Sequence, residues 1–279
     1  MSSLFKDKKI PSSPGVYFFK DRQDRILSIG KAVNLKNRLA AYRKAPDPKM
    51  AKMLETATDL DWQETGSEIE ALILESRLIK KHRPPFNIML RDDKQYFFVG
   101  ITKEEFPRMF LTHQPTKSGK SSIRPLENSR ATSRGSRVGR LADLPKTNFI
   151  GPFTEGASLK TTLKLLRKIF PYCACQQKHH RYCLNYHISN CLGFCCLKEP
   201  IFTPEQKTDY QKNIRAIKNI LNGKKTSVLK DLKKEMKHLA KKHDFDQAIK
   251  LRNKSVQLQR VFENAKVIKQ MNHELGIRL

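Results

Sequence analysis

The sequence predicts an α/β (α+β) chain: a small mixed sheet with flanking helices, then a mostly helical cysteine-rich segment, then a C-terminal helical hairpin. Three observations carry this. Two short apolar runs, residues 16–19 and 26–29, flank a polar stretch and lead into a helical pattern ending near Tyr42. Six cysteines fall between Cys173 and Cys196. Apolar residues recur at helical spacing over 227–263, on both sides of a break at Asp244. The expected domains are 12–101, a linker region 102–157 with a basic insertion at 115–147, a helical cysteine-rich metal-cluster region at 158–222, and the hairpin at 227–263.

In the opening stretch, residues 20–25 form the polar loop of a β-hairpin. Gly30 ends the second strand, and Asn34 is placed to cap a helix carrying Leu35, Leu39 and Tyr42 on one face. Arg38 falls beside that face, where a cation requires an anion from the protein or a ligand. Residues 50–57 are predicted helical, and Leu60 and Trp62 predict a strand. The most apolar helix is expected over 67–82, with Ser67 and Glu70 as a capping box and Arg83-Pro84-Pro85 as its stop. Residues 86–90 read as a strand, followed by Arg91-Asp92-Asp93-Lys94 and a strand at 96–101. The insertion at 115–147 has eight Lys/Arg against Glu127 and Asp143 and few large apolar residues, so it reads as a basic loop, either a DNA contact or a solvated insertion. Further helices are expected at 158–170 and 204–221. In the hairpin, Leu229, Leu232, Met236 and Leu239 mark one apolar face. Phe245, Ala248, Ile249, Arg252 and Val256 mark the other, with Asp244 as cap.

Charge narrows the function. The 279 residues carry 55 Lys+Arg against 27 Asp+Glu, a formal net charge of +28. The simplest partner for such a surplus is nucleic acid, ahead of an anionic membrane or a merely solvated surface. The N-terminus has no apolar targeting core and no run reaches the length of a membrane span, so a soluble, cytoplasmic protein without membrane contact is expected. In that compartment clustered cysteines point to metal more than to disulfides.

Glu75 is the most telling carboxylate. On a helix its neighbours are Leu72, Leu74, Leu78 and Ile79, and a buried carboxylate must be ion-paired or bind a metal. Cys175, Cys183, Cys191 and Cys195 follow a C-x7-C-x7-C-x3-C spacing, with His179, His180 and His187 nearby. By spacing alone such a set suits zinc or an iron–sulfur cluster; Cys173 and Cys196 fall outside the pattern.

Gly15-Val16-Tyr17, then Ser28-Ile29-Gly30, Lys31, Arg38, Tyr42, Glu75 and Asn87 resemble the signature of the GIY-YIG nucleases, and within them the UvrC family, which incises damaged DNA in bacterial nucleotide excision repair. The resemblance extends to about Arg260, through an RPxYN-like segment, an RDDKxY-like segment, the cysteine spacing and a UVR-like hairpin, with the chain looking like a truncated UvrC or a shorter Cho-type homologue. It implies that Glu75 is the single protein ligand of a catalytic Mg²⁺ or Mn²⁺ and that Arg38 faces the scissile phosphate. Tyr17, Lys31 and Tyr42 complete the polar shell, with Asn87 supporting it. It implies a [4Fe–4S] cluster at Cys175, Cys183, Cys191 and Cys195, with zinc the alternative. It also implies damaged duplex DNA as substrate, nicked on the 3′ side, and a UvrB-type helicase docked on Phe245, Ala248, Ile249 and Arg252. The family places a tyrosine as general base where this sequence has Ser28. Three readings follow: a slow nuclease, a nuclease whose base is Tyr17 or metal-bound hydroxide, or an inactive adaptor for DNA and helicase. The persistence of Arg38, Glu75, Lys31 and Asn87 favours retained activity.

Overall fold

A computed structural model describes residues 4–5, 8–42, 48–89, 96–113, 123–124, 146–175, 182–194 and 203–274, with no side chain beyond residue 263. Most of the 115–147 insertion, the Arg91–Lys94 segment and Cys195 lie outside these residues. The chain divides into two compact units, residues 1–94 with 260–279, and residues 95–259.

In the first unit β1 (Gly15–Lys20) and β2 (Ile26–Ala32) form the expected hairpin. Asp21 closes its loop by accepting the backbone N–H groups of Gln23 and Arg25. Helices α1 (Leu35–Ala41) and α2 (Pro48–Thr56) return the chain to β3 (Asp59–Glu64), which pairs antiparallel with β1. The sheet order is β2-β1-β3, so β2 is an outer strand. Asn34 caps α1 as expected, its Oδ1 accepting the Asn37 N–H at 2.9 Å. One face of the sheet and these helices bury Tyr17, Phe19, Leu35, Leu39, Tyr42, Met53 and Leu60 in one cluster, together with Leu4 and Phe5 from a terminus that showed no pattern.

Helix α3 (Glu68–His82) is capped by Ser67, whose Oγ accepts the Glu70 N–H at 3.2 Å. Glu70 reaches one residue further back than a capping box requires and takes the Gly66 N–H at 2.8 Å. The helix ends at Arg83 in the left-handed region, φ 47°. The next segment is not the strand expected over 86–90 but a short helix, α4 (Pro85–Met89). Pro85 at its first position has its φ preset for a helix and lacks the N–H that a helix start leaves unpaired.

In the second unit β4 (Phe97–Thr102) pairs with β5 (Met109–His113) and β7 (Thr147–Phe153), and β5 pairs with β6 (Ile123–Arg124). Among the described residues every ladder in both sheets is antiparallel, where a mixed sheet was expected: the β1–β2 hairpin and the helical return to β3 bring each strand back beside β1 in the opposite direction. Helix α5 (Gly156–Ile169) buries Leu159, Leu163 and Leu166. A short α6 (Leu184–His187) lies in the cysteine segment, and α7 (Pro204–Leu221) starts on a complete Thr203–Gln206 capping box. Tyr210 of α7 accepts the Cys173 N–H at 3.0 Å and donates to the Pro107 carbonyl at 2.5 Å. Helices α8 (Lys225–Lys241) and α9 (Phe245–Glu274) follow, joined through His243 at φ 62°. Both pack on α7: Lys212 pairs with Glu235 of α8 at 2.5 Å, and Lys254 of α9 donates to Asn213 at 3.5 Å. Among the described residues no helix is long and apolar enough to cross a membrane.

Candidate active site

An outer strand leaves backbone groups without a sheet partner, and in β2 side chains from outside the sheet take them. Asn87, presented by α4, accepts the Ile29 N–H at 2.7 Å and donates to the Ile29 carbonyl at 2.8 Å. Two residues on, Glu75 of α3 accepts the Lys31 N–H through Oε1 at 2.9 Å. Glu75 is 2% exposed, as its leucine and isoleucine neighbours predicted. The Lys31 ammonium turns to Glu68, one helical face and two turns before Glu75, at 2.7 Å. Glu68 escaped the sequence reading, although its seven-residue spacing from Glu75 was the available signal.

Between these contacts sits Gly30, opposite Tyr17 in the β1–β2 register. A Cβ at Gly30 would lie 2.3 Å from the Tyr17 hydroxyl, so only glycine lets that ring lie across the strand. The Tyr17 and Tyr42 hydroxyls are hydrogen-bonded at 2.6 Å, and Arg38 donates from Nε to the Tyr17 oxygen at 3.3 Å. Tyr17, Phe19 and Tyr42 meet edge to face, with centroids 5.3–5.8 Å apart. The Arg38 guanidinium lies 5.5 Å from the Tyr42 ring centroid while its residue is exposed to solvent. The expected apolar-face neighbour of Arg38 is therefore a pair of phenols.

Burial, and then the adjacent Tyr42 hydroxyl, push the Tyr17 phenol well above the usual tyrosine range, with Arg38 opposing. Tyr17 thus stays protonated at neutral pH. The Tyr17 phenol beside it in turn raises Arg38, which remains a cation. Ser28 is buried, opposite Phe19. The structure therefore brings Tyr17, Arg38 and Tyr42 into one cluster, and Lys31, Glu75 and Asn87 around the outer edge of β2. Residues 29–31 join the two groups. Among the described residues no group of three or more His, Cys, Asp and Glu is placed to hold a metal ion. A cation at Glu75 would rest on one protein carboxylate, a donor set that suits a hard divalent ion completing its shell with water and phosphate oxygens.

The cysteine segment is placed differently from its spacing. Cys191 is buried and its Sγ lies 3.3 Å from the Sγ of Cys173, the residue set outside the pattern, while the Gly193 N–H points to Cys191 Sγ at 3.5 Å. Cys175 and Cys183 are half-buried, and Cys195 lies outside the described residues. Phe194 stacks on Phe106 at 4.2 Å and meets Tyr210 at 4.8 Å. In the hairpin, Phe245, Ile249 and Val256 are exposed and Arg252 shares their face. Ala248, grouped with them by periodicity, is buried instead.

The chain is similar to known proteins over nearly its whole length. The chain is similar to the UvrABC system protein C of Carboxydothermus hydrogenoformans, 35% identical over 269 residues, covering 94% of this chain and 39% of that protein. It is equally similar to the protein of that name from Caldicellulosiruptor saccharolyticus, 35% identical over 93% of this chain and 40% of the relative. The chain thus spans about two fifths of the length of the curated relatives it matches. Among solved structures, it is 42% identical to the GIY-YIG N-terminal endonuclease domain of UvrC from Thermotoga maritima bound to its catalytic divalent cation, magnesium. That match covers 28% of this chain and 88% of that one, with a TM-score of 0.27. Two family models match consecutive segments, the UvrC-like GIY-YIG domain over residues 13–88 and the UvrC/Cho excinuclease middle domain over 96–220. With both models matched in their order and the relatives aligned over 93–94% of this chain, it belongs to the UvrC family, as a GIY-YIG domain followed by a UvrC middle domain.

Proposed function

We propose that the chain is a metal-dependent DNA endonuclease of nucleotide excision repair, nicking damaged duplex DNA on the 3′ side beside a UvrB-type helicase. The observation that carries this is the meeting, at three consecutive residues of β2, of a buried carboxylate and a solvent-facing arginine held by two phenols. Phosphodiester hydrolysis needs positive charge on the phosphate, an activated water and help for the leaving oxygen. Arg38 meets the first of these needs, being cationic and exposed, with Nε oriented by Tyr17. Glu75 would hold a Mg²⁺ or Mn²⁺ ion, which would supply positive charge to the leaving oxygen. Lys31 stays on Glu68 and keeps the Glu75 edge in place, and Asn87 fixes the strand register. DNA, the partner the +28 charge favours, is the substrate class.

Ser28 favours a second reading, a DNA- and helicase-binding adaptor. A serine is too short and too weakly acidic to stand in for a phenol as base. Tyr17 is a poor substitute, since burial holds its proton. The frame around position 28 is nevertheless complete, which keeps the nuclease reading first. The cysteine segment we assign to a [4Fe–4S] cluster, with zinc the alternative, on its four-thiol spacing. The described residues do not themselves assemble three ligands. The helicase partner we assign to the exposed face of α9 formed by Phe245, Ile249, Arg252 and Val256, since a helical pair already packed on α7 through its other face has that face left for a second hairpin.

Three measurements test these assignments. With Mg²⁺ and duplex DNA, Glu75→Ala should abolish nicking, and Ser28→Tyr should raise it, by up to the roughly 10²–10⁴ a positioned base contributes. Ordinary nicking that Ser28→Tyr leaves unchanged would place the base elsewhere; binding without nicking in both would make the adaptor the function. Anaerobically purified protein should be brown and lose its colour in Cys183→Ser or Cys191→Ser, whereas colourless protein with stoichiometric zinc would reject the iron–sulfur cluster. Phe245→Ala should weaken binding to a UvrB-type helicase by more than tenfold, as expected for an aromatic anchor, and spare DNA affinity. Unchanged helicase binding would reduce that face to a part of the surface.

A further inference from the structure

Residues 182–192 form an apolar knob that neither the proposed catalytic cluster nor the hairpin uses. Tyr182 is 42% exposed, Leu184 73%, Tyr186 37%, Ile188 54% and Leu192 37%. Single exposed apolar residues need no explanation, but five within one short segment do. The knob is also built rather than slack. The Asn185 carbonyl accepts the N–H groups of Asn190 and Cys191 at 2.8 and 3.0 Å, and Ser189 donates to the Tyr186 carbonyl at 3.0 Å. The Tyr182 and Tyr186 rings stack at 3.9 Å with planes 18° apart. They pack over Gly193, where a Cβ would come within 2.9–3.1 Å of both rings and where φ is +85°. From beneath, buried Arg167 of α5 donates through Nε to the carbonyls of Tyr172 at 3.0 Å and Asn190 at 2.9 Å. A frame with this many bonds holds leucine and isoleucine in water, against the hydrophobic effect, which points to an occupant.

Charge selects the occupant. Residues 156–198 contain seven Lys/Arg and no Asp or Glu. Lys164 and Lys168 are exposed on α5, the helix that Arg167 ties to the knob. Exposed lysines on the helix bonded to the knob, with flat aromatic faces and projecting aliphatic side chains, match unstacked nucleic-acid bases: phosphates meet the lysines, bases stack on tyrosine, and an aliphatic wedge fills a broken base step. We propose that the 182–192 knob is a probe for disrupted base stacking, with Leu184 and Ile188 as the wedge and the Tyr182–Tyr186 pair as the stacking platform. It selects DNA whose bases are already unstacked, because an intact duplex charges the full unstacking cost before the knob can enter. This inference rests on the DNA-binding reading above.

The test uses the full chain and two fluorescent duplexes of one length, one fully paired and one with a short central bubble, titrated by anisotropy at a fixed salt concentration. Wild-type protein should bind the bubble about tenfold tighter, within the range of one or two base-stacking contacts. It should also change the fluorescence of a 2-aminopurine placed in the bubble. Leu184→Ser with Ile188→Ser should remove the preference and the fluorescence change while leaving affinity for paired DNA as it was. Since both positions are exposed, serine there empties no core, and Tyr182→Ala provides a second variant aimed at the platform. Equal wild-type affinities for the two DNAs, a preference that survives in the variants, or a loss that falls equally on both DNAs would overturn the inference and leave the DNA-binding reading intact. Binding to neither DNA would overturn that reading as well. A wild-type dimer that the serine variant makes monomeric, with no change in DNA preference, would assign the knob to a second copy of the chain and also overturn the proposal.

Discussion

The outer edge of β2 is the constraint on which the candidate site depends. A sheet of three strands must end somewhere, and the backbone groups at its edge must find partners once helices cover them. Here the partners are the Asn87 amide, which satisfies both backbone groups of Ile29, and the Glu75 carboxylate, which takes the Lys31 N–H. Leaving such groups buried and unpaired costs about 1–3 kcal/mol each. The same bonds that close the edge therefore fix where Glu75 points and where residues 28–31 run.

Placing the carboxylate through a backbone bond has a chemical consequence. Glu75 is oriented by the strand, its Oε1 accepting the Lys31 N–H, so a backbone donor offsets part of the cost of burying the carboxylate. Arg38 is held instead by Tyr17 and Tyr42, and its charge faces solvent. Gly30 makes the two halves compatible, because the Tyr17 ring crosses the strand where any side chain would block it. A substitution at position 28 changes a side chain on this frame and leaves the frame itself in place. For that reason Ser28 bears on the chemistry offered at that position more than on architecture.

Local signals carried much of this into the sequence. Asn34 and Ser67 cap the helices they were expected to cap, and the apolar neighbours of Glu75 foretold its burial, because capping and helical period act over three or four residues. What stayed hidden depends on distant partners. Residues 86–90 hold enough apolar character for a strand, yet Pro85 starts a helix that delivers the Asn87 side chain to the backbone of Ile29. Leu4 and Phe5 look like an unpatterned terminus until the core they fill is assembled. Cys173 looks irrelevant by spacing and lies against Cys191. On α9, period alone grouped Ala248 with Phe245 and Ile249, whereas packing on α7 divides that stripe into a buried and an exposed part.

The most direct test of the account is amide hydrogen exchange at Ile29 and Lys31. These N–H groups donate to the Asn87 and Glu75 side chains, so their protection reports those bonds. The account predicts that both exchange as slowly as the amides of β1, that Asn87→Ala releases Ile29, and that Glu75→Ala releases Lys31. Rapid exchange at both positions in the unaltered protein, or slow exchange that persists in both variants, would contradict it.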